Sequence, residues 1–277
     1  MMRTLDVVMR CRNEMPYTKR ALEALATQTG LVARVLFIDC HSSDGSREAA
    51  DEAGARIVDL DPAQYIPGRV LNRGMRETAS EFVAFINADA IALRADSLVR
   101  LIAPFERHEN VIATYARQLA RPDADRLTKV DYARAFPTAK ALGVTHGHFF
   151  SMAASAVRRS GWEVLPFDEK LKYSEDVDWS LRAASLGWLS TYASDSEFEH
   201  SHVYDLKAQY KRHAGEGTAD THIHRLSKAS VVSDLLRPLA GNLLRDARAG
   251  VVSPSAIATR IAQAAGYFTG RRRGSSA

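Results

Sequence analysis

Cysteine is scarce in this chain: its 277 residues include only Cys11 and Cys40. Two thiols without a C-x-x-C spacing make neither a zinc site nor a disulfide framework, so the expected setting is the reducing cytoplasm. Long apolar runs are missing as well, which excludes a bilayer-spanning segment. Leu5 to Met9 is too short for the core of a secretion signal, and charged residues follow it at once. There is no internal repeat and no low-complexity stretch. Charge of one sign is not in large excess, with 37 Lys and Arg against 33 Asp and Glu, a net charge of +4 and a pI near 9.1. Such basicity suits anionic partners in general. No nucleic-acid-binding motif accompanies it, so nucleic acid is not an expected partner.

What is present is a globular composition, 46% hydrophobic and 25% charged, with enough apolar side chains for a sizeable core. From Leu5 onward, short β-branched runs alternate with helical patterns, the signature of repeated βα units and a mostly parallel sheet. Strands are expected at Leu5–Met9, Arg34–Ile38, Ala55–Asp59, Phe82–Ile86 and Val111–Ala116, with helices near Tyr17–Gln28, Ser46–Ala53, Arg69–Thr78 and Ser97–Arg107. The stretch from Leu119 to Glu175 is irregular and rich in proline, glycine and aromatics. It is followed by a helix at Glu175–Leu186, a strand at Leu189–Tyr192, a helix at Asp205–His213, and two further helices broken near Pro254. The expected architecture is an α/β catalytic domain over residues 1–220 with a helical, basic extension over 221–277.

In open α/β sheets ligands bind beyond the carboxyl ends of the strands. The polar residues there are Arg10 to Glu14, Asp39 to Ser46 and Asn87 to Asp89. Asp44-Gly45 is turn chemistry and Ser46 a helix cap, but neither role accounts for Asp39, whose carboxylate is suited to accept the imide N–H of uracil or thymine. Asp89, where a buried run stops, is suited to a hard divalent cation and, through it, to a diphosphate; a turn aspartate is the plainer alternative. In Tyr173-Ser174-Glu175-Asp176-Val177-Asp178-Trp179, three acids within four positions exceed what capping a helix requires. One of them is a candidate general base, its proton affinity raised by apolar neighbours such as Trp179. His200 and His202 follow a short strand, and if that strand continues they point to opposite faces, so at most one of them reaches a metal shared with Asp89. His146 and His148 are either structural or acceptor-facing.

Together these segments resemble family 2 glycosyltransferases over about Leu5 to Gly215. The carriers are Arg10-Cys11-Arg12-Asn13-Glu14, the D-x-x-S-x-D-G-S run from Asp39, Arg69-Val70-Leu71-Asn72-Arg73-Gly74, Asn87-Ala88-Asp89 at the D-x-D position, Ser174 to Arg182 as the E-D-x-D-x-x-L-R helix, and His200-Ser201-His202. A narrower similarity, to the bacterial rhamnosyltransferase-like branch that builds surface polysaccharides, rests on Arg117 to Ala124, Ala154 to Trp162 and Gly266 to Arg272.

The resemblance implies a GT-A-like fold and an inverting, single-displacement transfer from a UDP-, dTDP- or GDP-linked sugar to a glycan or lipid-linked acceptor. It implies donor contacts from Arg10, Glu14, Asp39, Arg69, Asn72, Asn87 and Asp89. Mg²⁺ or Mn²⁺ would sit on Asp89 and His200 or His202, with Asp176 as base and His148, Glu175 and Trp179 on the acceptor side. Asn87 departs from the pattern by supplying no charge. A nucleotidyltransferase is the rival reading, but no Gly-rich loop follows the first strand; a catalytically silent nucleotide- or carbohydrate-binding protein is the other. The helical tail, with leucines at helical spacing beside arginines, is expected either to rest peripherally on the inner face of a membrane or to pack on the catalytic domain. The Arg271-Arg272-Arg273 run on its own reads as a solvated tail end.

Overall fold

The computed structural model describes residues 3–138 and 149–275. The chain divides into two compact units. The first comprises the segment up to Arg121, Tyr132–Lys170 and Glu175–Ser201; the second comprises Pro122–Asp131, Leu171–Ser174 and the chain from His202 onward.

The first unit is built on β1 (Arg3–Cys11), β2 (Leu31–Asp39), β3 (Arg56–Asp59), β4 (Phe82–Ile86), β5 (Ile91–Ala92), β6 (Val111–Leu119), β7 (Ala154–Arg158) and β8 (Leu189–Glu199). These form one sheet in the order β3-β2-β1-β4-β7-β6-β8-β5. β1 pairs in parallel with β2 and β4, and β2 with β3, as the βα alternation predicts. The sequence pattern missed β7, which runs antiparallel between β4 and β6. Its five residues, Ala-Ser-Ala-Val-Arg, are too small and too few to give a periodic signal, yet the first four are buried. Successive residues of β1 feed opposite faces: Leu5, Val7 and Met9 join the core on one side, and Val8 joins Leu71, Phe85, Phe167 and Trp179 on the other. Around the sheet lie α1 (Tyr17–Ala26), α2 (Ser46–Glu52), α3 (Pro67–Glu77), α4 (Ser97–Arg107), α6 (Arg159–Val164) and α7 (Glu175–Ser185). Between α4 and α6, α5 (Arg126–Ala135) spans the boundary between the units at Asp131.

In the second unit α8 (Leu206–Ile223) lies against α10 (Pro254–Gly274), and a π-turn at Val232–Leu236 leads into α9 (Arg237–Arg248). Both helices expected around Pro254 are present. The α8–α10 approach depends on glycine: a Cβ at Gly270 would stand 2.0 Å from the Ala214 carbonyl oxygen, and one at Gly266 would stand 2.3 Å from that of Tyr210. Arg260 is 4% exposed and holds Asp246 (2.7 Å) and Asp131 (2.7 Å). Arg271, expected in a solvated run, is instead 3% exposed and donates to Thr221 Oγ1 at 2.7 Å and to the Ser227 carbonyl at 3.0 Å.

Candidate active site

Three loops at the carboxyl edge of the first unit's sheet bring the expected residues together. The turns after β1 and β2 are stitched to each other: Ser42 Oγ accepts from the Asn13 amide (3.1 Å), Asn13 Oδ1 from the Ser43 amide (2.7 Å), Asp44 from the Met15 amide (2.8 Å) and Ser46 Oγ from the Glu14 amide (3.2 Å). Gly45 supports this turn with φ +94°, a left-handed conformation that side chains disfavour. Asp44 and Ser46 are thereby structural. Asp39 lies at the end of β2, 1% exposed, accepting from the Ser42 amide at 3.2 Å and standing 3.5 Å from Arg47.

Arg10 leaves β1 toward the same edge. Its Nε donates to Asn87 Oδ1 at 3.2 Å, so Asn87, the residue that departs from D-x-D, orients an arginine. Arg10 Nη1 is buried with no hydrogen bond among the described residues and lies 3.6 Å from Glu175. The three acids opening α7 are not equivalent. Asp178 pairs with Arg182 along the helix at 2.7 Å, and Glu175 faces Arg10. Asp176 is pushed up to about 7, chiefly by loss of water and then by the Glu175 charge, against the pull of the Val177 amide, Arg10 and the Met152 amide. A carboxyl of that affinity is balanced between proton acceptor and donor near neutral pH. Trp179, expected on the acceptor side, lies in the core instead: it is 0% exposed, donates to the Leu165 carbonyl at 2.6 Å and stacks on Phe167 at 5.1 Å. His148 lies outside the described residues.

Asp89 follows β4 and is 2% exposed. Arg121 Nη2 donates to its Oδ2 at 3.0 Å and to its carbonyl at 2.9 Å, while His200 Nε2 faces Oδ1 at 3.5 Å. The other ring nitrogen of His200 meets Gln118 Oε1 at 2.8 Å, and Gln118 Nε2 donates to Ser151 Oγ at 2.8 Å. An amide oxygen only accepts, so Nδ1 carries the proton and Nε2 is the atom turned to Asp89. In the neutral ring that places a lone pair opposite a carboxylate oxygen, an arrangement relieved by a cation between them. Oxygen from a carboxylate and nitrogen from an imidazole suit a divalent ion such as Mn²⁺. β8 ends at Glu199, so the alternation expected to send His200 and His202 to opposite faces lacks its strand. His202 belongs to the second unit, beside Tyr204 at 5.2 Å between ring centroids. Glu14 stands near Asp89, and its carboxyl is pushed up to about 7 by burial and then by the Asp89 charge, opposed by Arg121.

The R-x-x-N-x-G segment does not join this cluster. All four hydrogen-bonding positions of Asn72 are spent on protein: Nδ2 donates to the Phe167 carbonyl and to Glu169 (both 2.9 Å), and Oδ1 accepts from Trp162 Nε1 (2.8 Å) and the Phe167 amide (3.0 Å). The expected donor contact thus becomes a brace for the 162–169 segment. A Cβ at Gly74 would strike Val8 at 2.7 Å, so that glycine is needed for packing. Arg69 is exposed, 4.0 Å from Glu169.

Two participants were missed as site residues. Gln118 and Arg121 lie in a segment read only as a branch mark, and nothing local ties them to Asp89 or His200; the pairing of β8 with both β6 and β5 does so. Arg121 also stacks its guanidinium 3.6 Å over Tyr17.

Comparison with known proteins bears on the family and the fold. The O-antigen chain rhamnosyltransferase WbaN of Salmonella anatum is 28% identical over 207 residues, covering 70% of this chain and 64% of that protein. The succinoglycan biosynthesis protein ExoA of Rhizobium meliloti (strain 1021) is 25% identical over 226 residues, covering 74% and 66%. The matched region thus spans slightly less than two thirds of each relative. In fold, the chain is similar to the mannosyltransferase PcManGT from Pyrobaculum calidifontis in complex with GDP-Man and Mn²⁺ (TM-score 0.67, 17% identity, 98% of this chain and 86% of that one). It is also similar to glucosyl-3-phosphoglycerate synthase from Mycobacterium tuberculosis in complex with Mn²⁺, UDP and phosphoglyceric acid (TM-score 0.58, 20% identity, 80% and 78%). The sequence profile described as Glycosyl transferase family 2 matches residues 6–165, more than half of the chain, with most of β1 and every strand from β2 to β7, and so this protein, with its GT-A-like α/β fold, belongs to glycosyltransferase family 2.

Proposed function

We propose that the chain is a metal-dependent, inverting glycosyltransferase of surface polysaccharide synthesis, moving a sugar from a nucleoside-diphosphate sugar to a hydroxyl of a glycan or lipid-linked acceptor. The observation that carries the reading is the placement, at one sheet edge, of a carboxyl of raised proton affinity on α7 and of the Asp89–His200 pair. Asp176 takes the acceptor proton as the new bond forms, and Arg10, whose buried Nη1 has no hydrogen bond among the described residues, binds the donor's phosphates. Asp39 reads the base. Asp89 and His200 would hold Mn²⁺ or Mg²⁺, and His202, just past the end of β8, is the remaining candidate ligand. When bound, that ion neutralises the departing diphosphate. Arg121 and Glu14 set the charge around Asp89, and Gln118 fixes the His200 tautomer. The names of the curated relatives, a rhamnosyltransferase of O-antigen chains and a succinoglycan biosynthesis protein, support the polysaccharide setting.

The test is a thermal-shift screen of UDP, dTDP and GDP and their sugars with and without Mn²⁺, since a true donor stabilises by mass action. Asp89→Ala is expected to lower Mn²⁺-dependent nucleoside-diphosphate affinity by about tenfold or more in calorimetry, and His202→Ala in the same titration reports on the second imidazole. Unchanged affinity in Asp89→Ala removes the metal assignment. Donor binding without nucleoside-diphosphate release, over a panel of acceptors, would point instead to a silent sugar-nucleotide binder.

A further inference from the structure

The second unit carries a surface that the chemistry of the site does not use. From Thr221 to the C-terminus the chain has nine Lys and Arg against two acids, a net +7, whereas the whole chain is +4, so the first 220 residues are net −3. Both acids are committed internally: Asp246 is 2% exposed and bound to Arg260 of α10, and Asp234 lies 3.7 Å from Arg271 of the same helix. They mark the inward face of the Val232–Arg248 segment. Away from it runs an i, i+4 row of Val232 (65% exposed), Leu236 (52%), Ala240 and Leu244 (53%). Beside that row stand Arg237, Arg245 and Arg248, all exposed. Among the described residues no helix is long and apolar enough to cross a membrane.

We infer that this π-turn and helix α9 form a docking face for an anionic lipid bilayer, lying parallel to the surface with Val232, Leu236 and Leu244 in the headgroup region and the three arginines on lipid phosphates. A second copy of the chain is the poorer occupant, because a self-complementary contact would bring the arginine row against another of the same sign. A bilayer offers both components at once, apolar depth for the ridge and negative charge for its flank.

Flotation of the full-length protein with vesicles decides the matter. Recovery with phosphatidylglycerol-containing vesicles should exceed that with pure phosphatidylcholine, and it should fall as salt is raised. At about 1 kcal/mol per surface arginine, each of Arg237→Gln, Arg245→Gln and Arg248→Gln should lower partitioning about fivefold. Leu236→Ser with Leu244→Ser, at exposed positions, should also release the protein. Equal recovery with both vesicle types, or none with either, overturns the inference without recourse to a variant. So does a concentration-dependent dimer, seen in sedimentation, that is lost in the leucine variant.

Discussion

Replacing Asp176 with asparagine preserves the shape of the side chain and an oxygen for the Val177 amide, which Asp176 Oδ1 holds at 2.9 Å, and removes only the capacity to take a proton. A positioned carboxylate contributes about 10²–10⁴ in rate, so turnover should fall by at least two orders of magnitude while donor affinity stays near wild type. Stability should move the other way. The carboxyl, raised from 3.8 to about 7, is mainly protonated in the fold and ionised in the unfolded chain between those values. Its contribution is therefore fully present below about pH 4, declines as pH rises, and is lost above about pH 7. At about 1.4 kcal/mol for each tenfold change in acidity, the loss amounts to at most about 4.5 kcal/mol. Asp176→Asn escapes it, and at pH 8 should melt no lower than the parent. The same titration predicts that kcat of the parent rises with pH through about 7. Calorimetric melts at pH 5 and 8, paired with a nucleoside-diphosphate release assay, measure both effects. Asp178→Asn is the control: it loses an ion pair along one helix, worth about 0.3–0.5 kcal/mol, and should keep its activity. Near wild-type transfer by folded Asp176→Asn would refute the base assignment and the mechanism resting on it.

Two more substitutions separate bracing from binding. Asn72→Ala leaves the Trp162 and Phe167 donors and the Phe167 carbonyl unpaired, and should destabilise the fold by about 3 kcal/mol or more in denaturant titration while donor affinity in the folded fraction is unchanged; a selective loss of affinity would restore its donor role. Gln118→Ala should weaken Mn²⁺ binding by about 10–100-fold, measured by calorimetry without donor, with Gln118→Glu, which keeps an acceptor for His200 Nδ1, recovering much of it; equal loss in both would make Gln118 merely a packing residue.

Much of this protein is written locally. β1 to β4 and the helices after them follow from apolar runs of period two and 3.6, and the acids past the strand ends announce an edge where ligands bind. Asp89, His200 and Asp176 are legible as candidates because each belongs to a short run whose order along the chain resembles a family. What local pattern lacked was partnership. Glu175, Asp176 and Asp178 look alike in sequence and were separated only by which cation the fold brings to each: Arg10 to the first, Arg182 to the third, and apolar burial with the Glu175 charge to the second. Asn72 and Trp179 carry the residue types of a ligand site, yet the 162–169 segment and the core beneath α7 claim them. Gln118 and Arg121 stand about thirty residues or more from both Asp89 and His200, a separation that the pairing of β8 with both β6 and β5 closes and no local motif encodes. Arg271 was read as solvated because a run of three arginines usually is; the glycines that let α10 approach α8 bury it. Local sequence chooses the element and the chemistry at its end, because both depend on neighbours in the chain. Burial and charge pairing depend on neighbours in space, and these exist only once the sheet has closed and the helices have packed.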